Sequence, residues 1–445
     1  MGEYVMRIIY CISALSISAS LLFEMRPTSA QEVAPAPTQL SEDTRPKINF
    51  SDYIDEVVRH NLELAIQRST IAITQAGVTS ARTRPDWSVD VGFPSADLSN
   101  QGSPTTWSAG LSVPFELGGK RKARVRAATA DVSTTTSDYD DAIRQSRAAA
   151  TNAFIDSLGA RDILKSKQKS LGEFDRIVKV NEERLRVGDI GEIELMQSRV
   201  NRDQFRADVI TAQADVFSAD LTLGRQLGQP QKLSSQLPIP VGRLDVGNRA
   251  FNVEDLVATA FQQRADVISK TRALKAADLR IDLAKANLIP DVSFGGGFTH
   301  TGVGTGGFAQ PEDTTLSFGL SMNLPVSRLR YQGEVEAARA AHAQAEFQLR
   351  SVQLRVEAEV RDANSRYRAS VERLQLYRGG MLKDADRVLE ARLYAYQRGG
   401  ATLLEVIDAE RTSADVYLSY SEALVEHAHA LVAVEQAAGI WDVSF

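Results

Sequence analysis

An internal duplication, offset by about 205 to 211 residues, constrains this chain more than any other feature. Ile48-Asn49-Phe50-Ser51-Asp52-Tyr53-Ile54 matches Phe251-Asn252-Val253-Glu254-Asp255-Leu256-Val257. Thr105-Thr106-Trp107-Ser108-Ala109-Gly110-Leu111-Ser112 matches Thr314-Thr315-Leu316-Ser317-Phe318-Gly319-Leu320-Ser321 almost residue by residue. Whatever one half builds, the other must build as well.

Each copy carries two stretches in which apolar and small or polar residues alternate. In the first, Trp87, Val89, Val91 and Phe93 alternate with Ser88, Asp90 and Gly92; after the turn-rich residues 99–104, Trp107, Ala109, Leu111 and Val113 alternate with Ser108, Gly110 and Ser112. In the second, Val292, Phe294 and Phe298 alternate with Ser293, Gly295, Gly297 and Thr299. A glycine-rich loop over 302–313 follows, then Leu316, Phe318, Leu320, Met322 and Leu324. A period of two predicts strands, hence hairpins at 87–114 and 291–325. A soluble half-buried sheet would alternate in the same way; four strands with small polar inner faces favour a membrane barrel. Pro85, Pro114, Pro290 and Pro325 stand where helix should give way to strand.

Helical periodicity without proline fills the rest, over residues 118–186 and 328–398, each roughly 70 residues or about 100 Å long at 1.5 Å per residue. Ala345, Leu349, Val352, Val356, Val360, Ala363, Tyr367, Val371 and Leu374 are spaced 4,3,4,4,3,4,4,3. This eleven-residue repeat favours nearly straight packing over a tight left-handed coil. The remaining helices, expected at 50–84, 192–227, 253–289 and 401–438, are about half as long, so two placed end to end match one long helix. The fold class is mainly α with membrane β: a long α-helical barrel continuing into a β-barrel. Four strands cannot close a barrel, and open edges in hydrocarbon leave backbone groups unpaired, so oligomerisation must complete it. A dimer would supply eight strands and a trimer twelve.

Residues 1–30 carry Arg7, an apolar run over 8–23 and Thr28-Ser29-Ala30 before Gln31, a pattern that predicts a secretory signal cleaved after Ala30. Met6 is an alternative start. Cys11, the single cysteine, lies inside that run and follows no lipobox, so the exported chain is expected to have neither disulfide nor lipid anchor. The signal holds two acidic and two basic residues, so the net charge stays at -6, which argues against nucleic acid as partner. The organisation expected is signal 1–30, linker 31–47, first repeat 48–230, connector 231–250, second repeat 251–440 and tail 441–445.

Far from the hairpins, both halves turn through related segments, Arg184-Leu185-Arg186-Val187-Gly188-Asp189 and Tyr396-Gln397-Arg398-Gly399-Gly400-Ala401. Gly188 and Gly399 stand where a helix ends in a left-handed cap. Together, the repeat, the hairpins and the pattern Leu404-Glu405-Val406-Ile407 after the second tip resemble the TolC-like outer-membrane efflux family over residues 48–440. The resemblance implies a homotrimer in the outer membrane of a Gram-negative bacterium, with a twelve-helix periplasmic tunnel. It implies a periplasmic adaptor protein and an inner-membrane pump of the resistance-nodulation-division type as partners, and no chemistry of its own.

By the same resemblance, Glu405 and Asp408 ring the periplasmic aperture; a solvated helix face is the alternative. Tyr396 and Glu194 match latch positions, although Ala401 stands where the latch arginine would be. Arg184, Gly188, Arg398 and Gly399 would present the tips to the adaptor. Trp87, Val89, Val91, Phe93, Trp107, Leu111, Phe294, Phe298, Leu316, Phe318 and Leu320 would face lipid. A coiled-coil tether is the alternative function, but it would not need a lipid-compatible strand face. The histidines His60, His300, His342, His427 and His429 are scattered, and no zinc spacing, nucleophile elbow or phosphate loop occurs. No enzyme activity, metal or cofactor is expected.

Overall fold

The computed structural model describes residues 45–93, 105–228, 237–303, 311–324 and 328–445. The signal, most of the linker, the turn at 99–104 and Pro325 lie outside the described residues. In chain order the elements are β1 (Lys47–Asn49), α1 (Phe50–His60), α2 (Leu62–Arg82), β2 (Ser88–Gly92), β3 (Thr106–Phe115), α3 (Lys120–Arg186), α4 (Glu192–Gln226) and β4 (Ile239–Val241). The second half adds α5 (Val253–Gln263), α6 (Ala265–Ala286), β5 (Val292–Thr301), β6 (Asp313–Met322), α7 (Arg328–Leu376), α8 (Leu382–Gln397) and α9 (Leu403–Ala438).

Helix α3 runs unbroken for 67 residues, as the absence of proline allows. Helices α2 and α4 both pack along it, and α6 and α9 both pack against α3 and α7, so half-length helices flank the long ones as expected. The expected eleven-residue stripe faces the core: Val352, Val356, Val360, Ala363, Tyr367 and Leu374 are buried. The second long helix differs from expectation, because a π-helical segment, Tyr377–Met381, separates α7 from α8. Gly379-Gly380 sits there, and a glycine pair with an inserted wide turn is a recognised cause of a helix kink.

The opening helices also differ from expectation. Each half breaks after 11 residues, at Asn61 between α1 and α2 and at Arg264 between α5 and α6, both in extended conformation. The Asn61 side chain accepts from the backbone of Glu63 and Leu64, capping α2. At the second break the Asp266 carboxylate accepts from Val267 N at 3.0 Å. The helices returning from the tips end against these breaks: a Cβ on Gly228 would lie 2.2 Å from His60 O, and one on Gly439 3.1 Å from Arg264 Cγ. Two apolar clusters form around them, one with Tyr53, Val57, Phe154 and Leu223, the other with Leu256, Val356, Tyr367 and Leu431. At this level β1 and β4 pair in parallel, Lys47 opposite Ile239. Three-residue strands carry no alternation to read, and these two were unforeseen.

The four longer-range strands form one antiparallel sheet in the order β2-β3-β5-β6. Its register places like faces together: Val89 opposite Leu111, Ala109 opposite Phe298, and Phe294 opposite Leu320. Ser112 pairs with Gly295 and Ser317 with Gly297 on the other face. Pro114 lies inside β3 rather than after it, paired with Ser293 but beyond the last β2 pair, Ser88 with Ser112. β2 is 5 residues long, shorter than expected. No helix among the described residues is long and apolar enough to cross a membrane.

Candidate functional site

Two regions at opposite ends of the helices answer to the expected sites. At the sheet end, Trp87, Val89, Val91, Phe93, Trp107, Leu111, Phe294, Phe298, Leu316, Phe318 and Leu320 are all solvent-exposed in the single chain. The pairing puts the strand residues among them on one face. β2 and β6 are unpaired edges, so that face continues to the boundary of the protomer on both sides.

The tips are built alike. Gly188 and Gly399 have φ of +79° and +75°, and each closes a helix with the same two bonds. Asp189 N donates to Arg184 O at 2.8 Å and Gly188 N to Leu185 O at 3.0 Å; Gly400 N donates to Ala395 O at 2.8 Å and Gly399 N to Tyr396 O at 3.1 Å. This six-to-one and five-to-two pattern is a Schellman cap, which needs the left-handed residue that glycine supplies. Arg184 and Arg398 stack on tyrosines, over Tyr396 at 4.5 Å and over Tyr394 at 4.2 Å. Arg184 also donates to Asp189 at 2.7 Å.

Tyr396 is buried and its hydroxyl donates to Asn181 Oδ1 at 2.7 Å. Burial pushes its pKa up, which keeps the hydroxyl a donor. Around it Phe174, Ile177, Leu403, Val406 and Ile407 close a small apolar cluster joining α3 to α8 and α9. Glu194 is exposed on α4 and acts on Tyr396 through charge alone, Asn181 being the hydroxyl's acceptor.

Glu405 and Asp408 differ from one another. Glu405 closes a capping box with Thr402: Thr402 N donates to its Oε2 at 2.8 Å, and Glu405 N to Thr402 Oγ1 at 3.4 Å. Arg392 donates to its other oxygen at 3.0 Å. The Thr402 backbone and hydroxyl, then Arg392, hold the carboxyl below the usual glutamate range. Thr402-Leu403-Leu404-Glu405 is a capping-box signature that the sequence displays openly. Asp408 is exposed one turn on, its carboxylate without a partner among the described residues, and its carbonyl accepts from Thr412 at 2.8 Å.

Among the buried polar groups that were not anticipated, Asn181 and Glu410 lie nearest this tip. Glu410 falls on the stripe Leu403, Val406, Ile407, Glu410, Ser413, all buried, and that three-to-four spacing was the signal that could have found it. His427 and His429 point apart. His427 is buried against the Tyr367 ring at 5.3 Å, while His429 contacts Asn152 at 2.9 Å and Asp156 at 2.8 Å.

The described residues thus form a body of packed helices that ends in a sheet with one exposed apolar face and, among those residues, two unpaired edges. The family model for outer membrane efflux proteins matches residues 56–229 and 256–440. The pyoverdine export outer membrane protein OpmQ of Pseudomonas putida is 24% identical, over 71% of this chain and 66% of its own length, just under two thirds. The cobalt-zinc-cadmium resistance protein CzcC of Cupriavidus metallidurans is 21% identical, over 85% of this chain and 87% of its own. The outer membrane channel CmeC of Campylobacter jejuni superposes with a TM-score of 0.70 at 16% identity, covering 96% of this chain and 95% of that one. The chain belongs to the outer membrane efflux protein family. As a member of that family it belongs to the outer membrane.

Proposed function

We propose that three copies of this chain form a passive exit duct, each giving four strands to a twelve-stranded outer-membrane barrel and its helices to a periplasmic tunnel. The observation that carries the proposal is the sheet: an apolar face on strands whose two edges are unpaired. In hydrocarbon an unpaired edge costs several kcal/mol per group, so β2 of one copy meets β6 of the next. The twin Schellman tips, with Arg184, Gly188, Arg398 and Gly399, dock a periplasmic adaptor. Through it the duct takes cargo from an inner-membrane pump of the resistance-nodulation-division type. OpmQ is named for pyoverdine export and CzcC for resistance to cobalt, zinc and cadmium; such unlike cargoes on one scaffold support selection by the pump.

The purified protein in a planar bilayer is expected to give stable, cation-preferring conductance; no channels at any protein concentration would contradict the duct. Asp408, exposed and without a side-chain partner among the described residues, supports a charged ring at the aperture, with Glu405 behind it. In this reading Tyr396 acts as a latch within one copy, through Asn181, and exposed Glu194 is the latch residue left to meet a neighbouring tip. Glu405→Gln with Asp408→Asn keeps the capping geometry while removing six charges from a trimer, about two per copy, and is expected to lower the cation-to-anion permeability ratio several-fold. An unchanged ratio would place both carboxylates off the axis.

A further inference from the structure

Along α3, Arg144 lies 2.7 Å from Asp141 and Arg161 lies 2.7 Å from Asp220. Arg147, between them, is different. Its guanidinium has no hydrogen-bond or ion-pair partner among the described residues, and its Nε is buried. A buried carboxyl in that position could take up a proton and become neutral, whereas a guanidinium keeps its charge at any physiological pH. Buried donors are ordinarily paired, and leaving one unpaired is costly. Arg147 therefore lacks an anion that the described chain does not supply.

The side chain lines a cavity of about 560 Å³, within the range of small-molecule sites. The other walls are mainly apolar. Phe50 and Ile54 come from α1, and Trp441 and Phe445 from the segment after α9. Phe50 stands edge-on to Phe154 at 5.4 Å and to Phe445 at 5.1 Å, so the aromatic wall is braced against the core and already formed. Thr151 also lines the cavity, but its hydroxyl donates to the Arg147 carbonyl at 2.8 Å. That leaves the guanidinium as the donor facing a ligand. Asp55, exposed on α1, is the other charged side chain of the lining, and it disfavours a second negative charge.

We propose that this cavity binds a small organic monoanion, an aromatic or short apolar body carrying one carboxylate. The carboxylate sits on Arg147, where a charge-assisted pair forms, and the body lies against Phe50 and Trp441. Such a ligand would tie α1 and the segment after α9 to α3. The site is built within one chain, so it stands or falls independently of the duct.

Fluorine NMR would test it, with para-trifluoromethylbenzoate titrated into the assembled, full-length protein in detergent. The uncharged para-trifluoromethylbenzyl alcohol is the reference and empty micelles are the blank. The expected result is saturable binding of the acid, at least about tenfold tighter than the alcohol. Arg147→Gln should leave acid and alcohol alike, and Arg147→Lys should restore part of the preference. Asp55→Asn should tighten the acid about two- to fivefold and leave the alcohol unchanged. Trp441→Leu should weaken both molecules together. No saturable binding, equal affinity for acid and alcohol, or an acid preference that survives Arg147→Gln would overturn the proposal. If Arg147→Gln fails to assemble, an unchanged acid affinity in Asp55→Asn overturns it instead.

Discussion

Arg264→Leu is expected to lower stability by about 3 to 5 kcal/mol, the usual loss when one partner of a buried ion pair is removed. Arg264 is 2% exposed at the break between α5 and α6. Its guanidinium donates to both oxygens of Asp266 at 3.0 and 2.7 Å, to Glu359 at 2.7 Å and to the Ala437 carbonyl at 3.0 Å. One side chain thus ties the start of α6 to α7 and to the end of α9. Leucine would leave the buried Asp266 with the backbone bond from Val267 at 3.0 Å and, for a charged partner, the longer contact to Arg355 at 3.4 Å. Burial pushes the Asp266 carboxyl up, but the Arg264 hydrogen bonds and charge override it and hold it below the ordinary aspartate value. A depressed acid stabilises the fold above its unfolded pKa, about 3.9, and that contribution is lost as pH falls through the folded value. The gap between wild type and Arg264→Leu should therefore be full at pH 7 and narrow below about pH 4. Denaturant unfolding of the helical signal in detergent at both pH values would measure it. A loss under about 1 kcal/mol at pH 7 would mean that the break is held by the surrounding packing instead.

Phe318→Arg is expected to cost about 2 to 4 kcal/mol in the assembled barrel, the penalty for a cation on the lipid face near the bilayer midplane. Phe318 is 70% exposed on β6. It leans over Gly296 of β5, its ring 3.4 Å from where a Cβ would be, so it covers backbone as well as facing outward. Ser317, its neighbour on the opposite face, pairs with Gly297, and in the proposed duct that face would line the lumen, so arginine there should be tolerated far better. Denaturant resistance of the membrane-extracted oligomer would compare the two. Equal losses on both faces would mean that neither borders lipid.

The parts that the sequence displayed were those with a long period. Alternation from Trp87 to Phe93 and from Leu316 to Leu324 located both hairpins, and missing prolines over 118–186 gave α3 its length. The breaks at Asn61 and Arg264 were hidden because neither proline nor glycine marks them and the apolar spacing continues through. The Arg264 side chain at the second break is held by the Ala437 carbonyl, 173 residues away, a contact that no local window contains. The Gly379-Gly380 pair was visible, yet within a helical pattern it does not say whether the helix ends or only widens. At the second tip the balance was different. Thr402-x-x-Glu405 announced a capping box as clearly as the family pattern suggested a pore carboxylate, and the structure gives Glu405 the first of these within the chain. Glu410 shows that one face can carry two kinds of information: its spacing says buried, its chemistry says charged.

Closure of the barrel by neighbouring copies is the central claim, and the duplication supplies the register to test it. Within the chain Ser112 of β3 faces Gly295 of β5. The first strands of the two hairpins are offset as Pro85 is from Pro290, and the second strands as Thr105 is from Thr314. Carrying the Ser112–Gly295 pair across the repeat puts Ser321 of one copy opposite Asp90 of the next. Cys11 is the sole native cysteine, so Asp90→Cys with Ser321→Cys in one chain gives an unambiguous pair. Oxidation in the outer membrane should yield covalent dimers and then trimers, about three copies and no further. Uncrosslinked monomers, or a ladder running past three, would contradict a ring closed by β2 and β6.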